Sequence, residues 1–126
     1  MQRVVISMQN YMFAQATEMA MKSHGDFRVA VVEKPEDIVK NCVSLAATAL
    51  LMEVTSYTPY KLGERLKIRE EMKKKSPDCK IVLMVDENSM PQVAETVKQA
   101  KRDGLIDQFI YGSTSASFLV GIMDAL

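Results

Sequence analysis

Short apolar runs alternate along the chain with longer stretches in which apolar residues recur every three or four positions. Arg3 to Ser7 (R-V-V-I-S) is a β-branched run that predicts a first strand, and Tyr11 to Lys22 follows with helical spacing through Met12, Ala16 and Ala20. Gly25, just past that stretch, stands where a left-handed residue commonly ends a helix. Phe27 to Val32 predicts a second strand. Pro35 suits a first helical turn with Glu36 and Asp37 at its positive end, and Ile38, Cys42 and Leu45 give that helix one apolar face. Ala49 to Val54 predicts a third strand, and a helix from about Leu62 to Lys75 runs up to the stop signal Ser76-Pro77. Lys80 to Val85 predicts a fourth strand. Ser89 then suits the N-cap of a helix with Pro91 in its first turn, Val93, Val97 and Ala100 facing inward, and Asp103-Gly104 closing it. Phe109 to Tyr111 predicts a fifth strand, and Thr114 or Ser115 caps a last helix carrying Phe118, Leu119, Ile122 and Met123.

Five strand-then-helix units imply an α/β fold: a parallel five-stranded sheet with helices on both faces, because right-handed crossovers allow little else. The runs Ala49-Leu50-Leu51-Met52 and Ile81-Val82-Leu83-Met84 are apolar throughout, as strands covered on both faces are. The first of them ends on a single carboxylate, Glu53, followed by the polar loop Thr55-Ser56-Tyr57-Thr58-Pro59. Ligands in open α/β sheets gather at the carboxyl ends of the strands, so Glu53 stands where an active site would be.

The chain of 126 residues fits one domain with a core large enough to need no staples. It ends on the last helix at Leu126, which is compatible with its being the N-terminal part of a longer protein. Sixteen basic and sixteen acidic residues cancel, so no global field favours nucleic acid or an anionic membrane. Lys73-Lys74-Lys75 reads as the solvated positive end of a helix. No apolar stretch is long enough to span a bilayer and no secretory h-region opens the chain, which points to the cytoplasm. Cys42 and Cys79 lie far apart in no metal-spaced pair and read as reduced core or near-surface thiols. The ten methionines read as adaptable core filler, although Met8, Met12, Met19 and Met21 crowd near one end.

With five β/α units at this length, the chain resembles a response-regulator receiver domain of the CheY-like kind, whose usual strand order is 2-1-3-4-5. The landmarks are L-L-M-E ending at Glu53, the K-I-V-L-M-V strand, A-K-R-D-G-L-I-D-Q-F before strand five, and F-L-V-G-I-M-D-A-L as the last helix. The loop after Glu53 is about two residues longer than the family pattern. The resemblance implies two-component phosphorelay signalling. An acidic pair after strand one and an Asp ending strand three would hold Mg²⁺, and that Asp would take a phosphoryl group from a histidine kinase. A Thr or Ser after strand four and a Lys after strand five would read the new charge.

Placed on that pattern, the acidic pair falls on Ser7 and Met8, followed by Gln9 and Asn10. The phosphoacceptor position is Glu53, the switch hydroxyl position is Val85, the lysine position is Gly112 with Ser113 after it, and only the aromatic switch position is kept, as Phe109. Ser7 and Met8 offer no carboxylate to a hard cation. Phosphoryl transfer is positioning plus charge neutralisation, and the groups that would neutralise charge are missing. Glu53 also places its oxygens about 1.5 Å further out than an Asp would.

The leading expectation is therefore a pseudo-receiver: a non-enzymatic module without a cofactor, acting by protein–protein contact on a like domain or an attached effector. Its contact face would be helix four, strand five and helix five, presenting Lys98, Lys101, Arg102, Phe109 and Tyr111, with a symmetric homodimer as an extension. Two alternatives stand beside it. One is a working receiver that uses Mg²⁺, and the other is a small-molecule or metal sensor in the vacated pocket. For Glu53 alone, three roles are open: an acid bonded to nearby backbone amides, a permanent charge imitating a phosphorylated Asp, or a metal ligand together with Asp86 and Glu87. His24 reads as a helix-end cap. Ser7, Ser113 and Ser115 lack a base. Tyr57, Tyr60 and Tyr111 are candidates for a recognition surface. Readings as a dinucleotide-binding domain, a flavodoxin or a cobalamin module fail for want of their glycine-rich, phosphate-loop or ligating-His motifs.

Overall fold

A computed structural model describes residues 1–126. Strands β1 (Gln2–Ser7), β2 (Phe27–Val31), β3 (Ala49–Glu53), β4 (Lys80–Val85) and β5 (Gln108–Tyr111) alternate with helices α1 (Tyr11–His24), α2 (Ile38–Leu45), α3 (Leu62–Lys75), α4 (Pro91–Arg102) and α5 (Ala116–Asp124). A single 3₁₀ turn, Pro35–Asp37, leads into α2. All pairings are parallel and the strand order is β2-β1-β3-β4-β5, as the alternation and the resemblance imply.

The sheet divides the core in two. Val5, Leu50, Met52, Ile81, Leu83 and Val85 pack with α2, α3 and α4 on one face. Val4, Ile6, Leu51, Val82, Met84 and Ile110 pack with α1 and α5 on the other. β3 and β4 are buried on both faces, which their unbroken apolar runs anticipate. No helix is long and apolar enough to cross a membrane.

Local details depart from the sequence expectation in four places. α1 buries Ala14, Thr17 and Met21, whereas Met12 is 80% exposed and Ala16 is also on the surface. Apolar residues surround this helix, so their spacing admits two phases, and Thr17 can be buried because its hydroxyl donates to the Phe13 carbonyl (2.9 Å). Gly25 is extended rather than left-handed; its lack of a side chain matters because a Cβ would lie 2.7 Å from Cδ2 of Phe27. The left-handed positions are Ala46, which ends α2, and Gly104, which follows α4. Met90, not Ser89, is the residue before α4, and no side chain caps that helix. Phe118 is 65% exposed, and α5 is held by Leu119, Val120 and Met123. Ser115 caps α5 as expected, accepting from the Phe118 amide at 3.3 Å.

Candidate functional site

β1 and β3 lie side by side, with Ser7 opposite Met52, so Ser7 and Glu53 meet at the carboxyl edge of the sheet. Ser7 is fully buried, and Met8 is buried in the core beneath α1 and α5. The half-buried Glu53 accepts through Oε1 from the amides of Gln9 (2.8 Å) and Asn10 (3.4 Å). Asn10 is the N-cap of α1, its side chain accepting from the Phe13 amide at 3.0 Å. α1 has no acid in its own first turn, and Glu53 supplies the negative charge that its N-terminus favours.

The second group at this edge is Arg65, in the first turn of α3 and wholly buried. Its Nε donates to the Glu53 carbonyl (2.9 Å), Nη1 to Ser7 Oγ (3.1 Å) and Nη2 to the Ser7 carbonyl (3.1 Å). The guanidinium lies 4.9 Å from the centre of the Tyr60 ring, a cation–π contact. The loop after β3 holds Tyr60 there. Thr55 donates to the Tyr60 carbonyl (3.0 Å), Tyr60 to the Tyr57 carbonyl (2.7 Å), and the Tyr57 amide to Thr55 Oγ (3.1 Å). This loop thus supplies the lid over Arg65. Burial pulls the Arg65 pKa down to about 10, while Tyr60, Glu53 and Glu64 favour the charged form, so the group is a cation at neutral pH.

The β4–β5 side is built differently. Val85 is fully buried, and its carbonyl accepts from the Gly112 amide at 2.8 Å. Asp86 is exposed; its Oδ1 accepts from the amides of Asn88 (3.1 Å) and Ser89 (3.3 Å), and hydrogen bonding from Ser89 and then Asn88 lowers its pKa. Glu87 bridges to the next loop, accepting from the Ser113 amide (3.3 Å) and hydroxyl (2.8 Å). Glu53, Asp86 and Glu87 thus each serve a different stretch of backbone, and nowhere do three acidic, His or Cys side chains gather to hold a metal. A cleft of about 360 Å³ opens between the two sides, lined by Asn10, Phe13, Glu53, Asp86, Gly112 and Ser113 among others.

These residues do not fit the divalent cation that the resemblance implies. The acidic-pair positions supply a hydroxyl already bonded to Arg65 and a buried thioether, and a fixed positive charge acts on Glu53. Val85 and Gly112 offer neither a hydroxyl nor an ammonium group to a bound phosphoryl.

Other candidates take plainer places. Phe109 and Tyr111 are half-buried, edge to face at 5.5 Å and 62°, against the core under α4. Lys98 pairs with Glu95 at 3.5 Å, while Lys101 and Arg102 are exposed in the last turn of α4. His24 caps the end of α1, its Nδ1 2.9 Å from the Ala20 carbonyl. Sequence reasoning missed Arg65. The sequence carries little signal for it, because α3 has no clear apolar stripe against which a buried arginine would stand out.

No protein-family model matches the chain, and no curated protein matches it. Solved structures match over nearly its whole length. A LuxR-family DNA-binding response regulator from Staphylococcus aureus superposes with a TM-score of 0.74 at 18% identity, covering 99% of this chain and 98% of that one. The response regulator TrrA from Thermotoga maritima, in complex with Mg²⁺ and BeF, gives 0.75 at 14% identity, covering 99% and 98%. A CheY-like receiver domain protein from Methanospirillum hungatei gives 0.75 at 12%, covering 99% and 92%. The chain carries the CheY-like receiver fold of two-component response regulators.

Proposed function

We propose that the chain is a pseudo-receiver, a signalling module that works by protein–protein contact and performs no phosphoryl transfer. The observation that carries this reading is Arg65. The ends of β1 and β3, which in the family pattern are bridged by acids and a metal, are here bridged by the chain's own buried cation. A second cation would meet that charge at short range, and no group on the β4–β5 side would neutralise a phosphoryl group on Glu53. The partner is a like domain or an effector joined to this one. Its contact face is α4–β5–α5, with exposed Lys101 and Arg102 on α4 and the half-buried Tyr111 on β5, and a weak symmetric dimer is an extension of the same face.

The test is titration of the folded protein with Mg²⁺ and beryllofluoride while amide resonances are followed, with a parallel mass measurement after acetyl phosphate. The expected outcome is no saturable shift at Gln9, Asn10 or Glu53 and no added phosphoryl mass. A saturable shift centred on Glu53 overturns the reading. For the contact face, sedimentation of Lys101→Glu/Arg102→Glu beside the wild type at high concentration is expected to show weakened self-association; unchanged association moves the face elsewhere.

A further inference from the structure

α1 packs on the sheet with Ala14, Thr17 and Met21 and turns the opposite stripe, Met12, Ala16 and Met19, to the outside. Half of the large apolar side chains exposed on the whole chain lie on this one helix: Tyr11, Met12, Phe13 and Met19, the last 68% exposed. Phe13, Ala16 and Ala20 continue the face into a groove of about 90 Å³ against α5, lined on that side by Thr114, Ala116 and Leu119. Charge is sparse here. Glu18 and Lys22 pair with each other at 3.0 Å, and His24 joins Lys22 in the last turn.

We infer that this face of α1 is a self-association surface, on which a second copy of the chain docks its own α1, antiparallel and two-fold symmetric about Ala16. It is separate from the α4–β5–α5 face and does not depend on it. The area fits a dimer. At about 200 Å² for a fully exposed side chain of this size, Tyr11, Met12, Phe13 and Met19 together leave about 450 Å² open. A standard homodimer interface covers about 800 Å² per partner and is about two-thirds apolar, so each copy must supply about 500 Å² of apolar surface. Ala16 and Ala20 bring the face to that size, and the small Ala16 on the axis lets the helices approach closely. The antiparallel register sets Met12 of one copy level with Ala20 of the other, and Met19 level with Phe13. A flexible thioether can then enter the groove and touch the Phe13 ring. Charge agrees with this direction. The basic last turn of each α1 comes to the end where Glu53 accepts from the Gln9 and Asn10 amides of the other copy. A membrane is a poorer occupant, since a helix lying on lipid carries a row of cations beside its apolar face and α1 has one lysine, already paired.

The experiment uses the full chain carrying Lys101→Glu/Arg102→Glu, so that association through α4–β5–α5 does not contribute and the two faces fail separately. Sedimentation equilibrium is expected to give a dimer with Kd on the order of 0.1–1 mM, as for a small, transient interface. Amide resonances of Met12, Ala16 and Met19 are expected to shift as concentration rises. Ala16→Glu and Ala16→Lys, added singly, exchange an exposed helical alanine for good helix formers and keep the fold. Each is expected to weaken the dimer at least tenfold, because like charges meet on the axis, and an equimolar mixture of the two is expected to restore it. Met12→Glu mixed with Met19→Lys is expected to associate in the same way, whereas Met12→Glu mixed with Met12→Lys is not. A monomer at about 1 mM, shifts confined to other elements, or an Ala16→Glu and Ala16→Lys mixture that stays monomeric each overturn the proposal. Association of the Met12→Glu and Met12→Lys mixture instead overturns the antiparallel arrangement.

Discussion

The two halves of the carboxyl edge use charge in opposite ways. On the β1–β3 side a buried guanidinium holds three backbone and hydroxyl acceptors under the Tyr60 ring. On the β4–β5 side the charges are acids at or near the surface, Asp86 and Glu87, each organising a loop by accepting from amides. A cation in the dry half cannot be shed without orphaning its acceptors, whereas acids in the wet half can fall back on water. The first half is therefore a fixed structural element and the second an adjustable rim.

The comparison breaks most visibly at Arg65. Arg65→Met keeps much of the volume but leaves the Glu53 carbonyl, the Ser7 carbonyl and Ser7 Oγ without their donor. A loss of about 3–4 kcal/mol is expected, seen as a fall in melting temperature of roughly 12 °C. Replacing a buried ion pair by apolar groups is often harmless, but here two of the partners are backbone groups that no substitution removes. Arg65→Lys, a point charge without the planar fork, is expected to lose about 2 kcal/mol in urea unfolding. Wild-type stability in Arg65→Met would show that the clamp is not what joins β1 to β3.

Glu53 ranks next, because it stands on the boundary between the halves. Glu53→Gln keeps the size and an acceptor oxygen but removes the charge from the N-terminus of α1. The expected cost is about 1–2 kcal/mol by chemical denaturation, with faster amide exchange at Gln9 and Asn10. Loss of exchange protection elsewhere with none at those two amides would assign Glu53 a different role.

The fold was legible because its signals are redundant: five apolar runs, five periodic stretches and a stop signal such as Ser76-Pro77 all agree. Glu53 was legible as a position, since it closes a buried strand. Its bonds to Gln9 and Asn10 were not, because they join residues more than forty apart through a loop whose shape the sequence does not encode locally. Arg65 hid for a related reason. Arginine is ordinarily an exposed residue, and the strongly charged α3 has too weak an apolar periodicity to show that Arg65 points inward. α1 shows the reverse failure: with methionine and alanine all round, its buried face is set by tertiary packing and by the Asn10 cap rather than by periodicity.

The smallest effect belongs to the wet rim. Asp86→Asn removes the charge that the Asn88 and Ser89 amides favour, but at an exposed site screened by water, so a cost of only a fraction of a kcal/mol is expected at neutral pH. Its pH dependence has a definite sign. The native Asp86 pKa lies below the ordinary value of 3.8, so the unfolded chain takes up the proton first as pH falls. The carboxylate's contribution is present above that ordinary value and is lost as pH drops through the lowered native one. Urea unfolding of wild type and Asp86→Asn at a series of pH values should give two curves that differ slightly near neutrality and merge in acid below the usual Asp range. Arg65→Met and wild type should stay apart across the same series, since the missing donor does not titrate there. If instead the Asp86 difference persisted undiminished into acid, the carboxylate's charge would not be what organises the rim, and the contrast between a fixed dry half and a titratable wet one would fail.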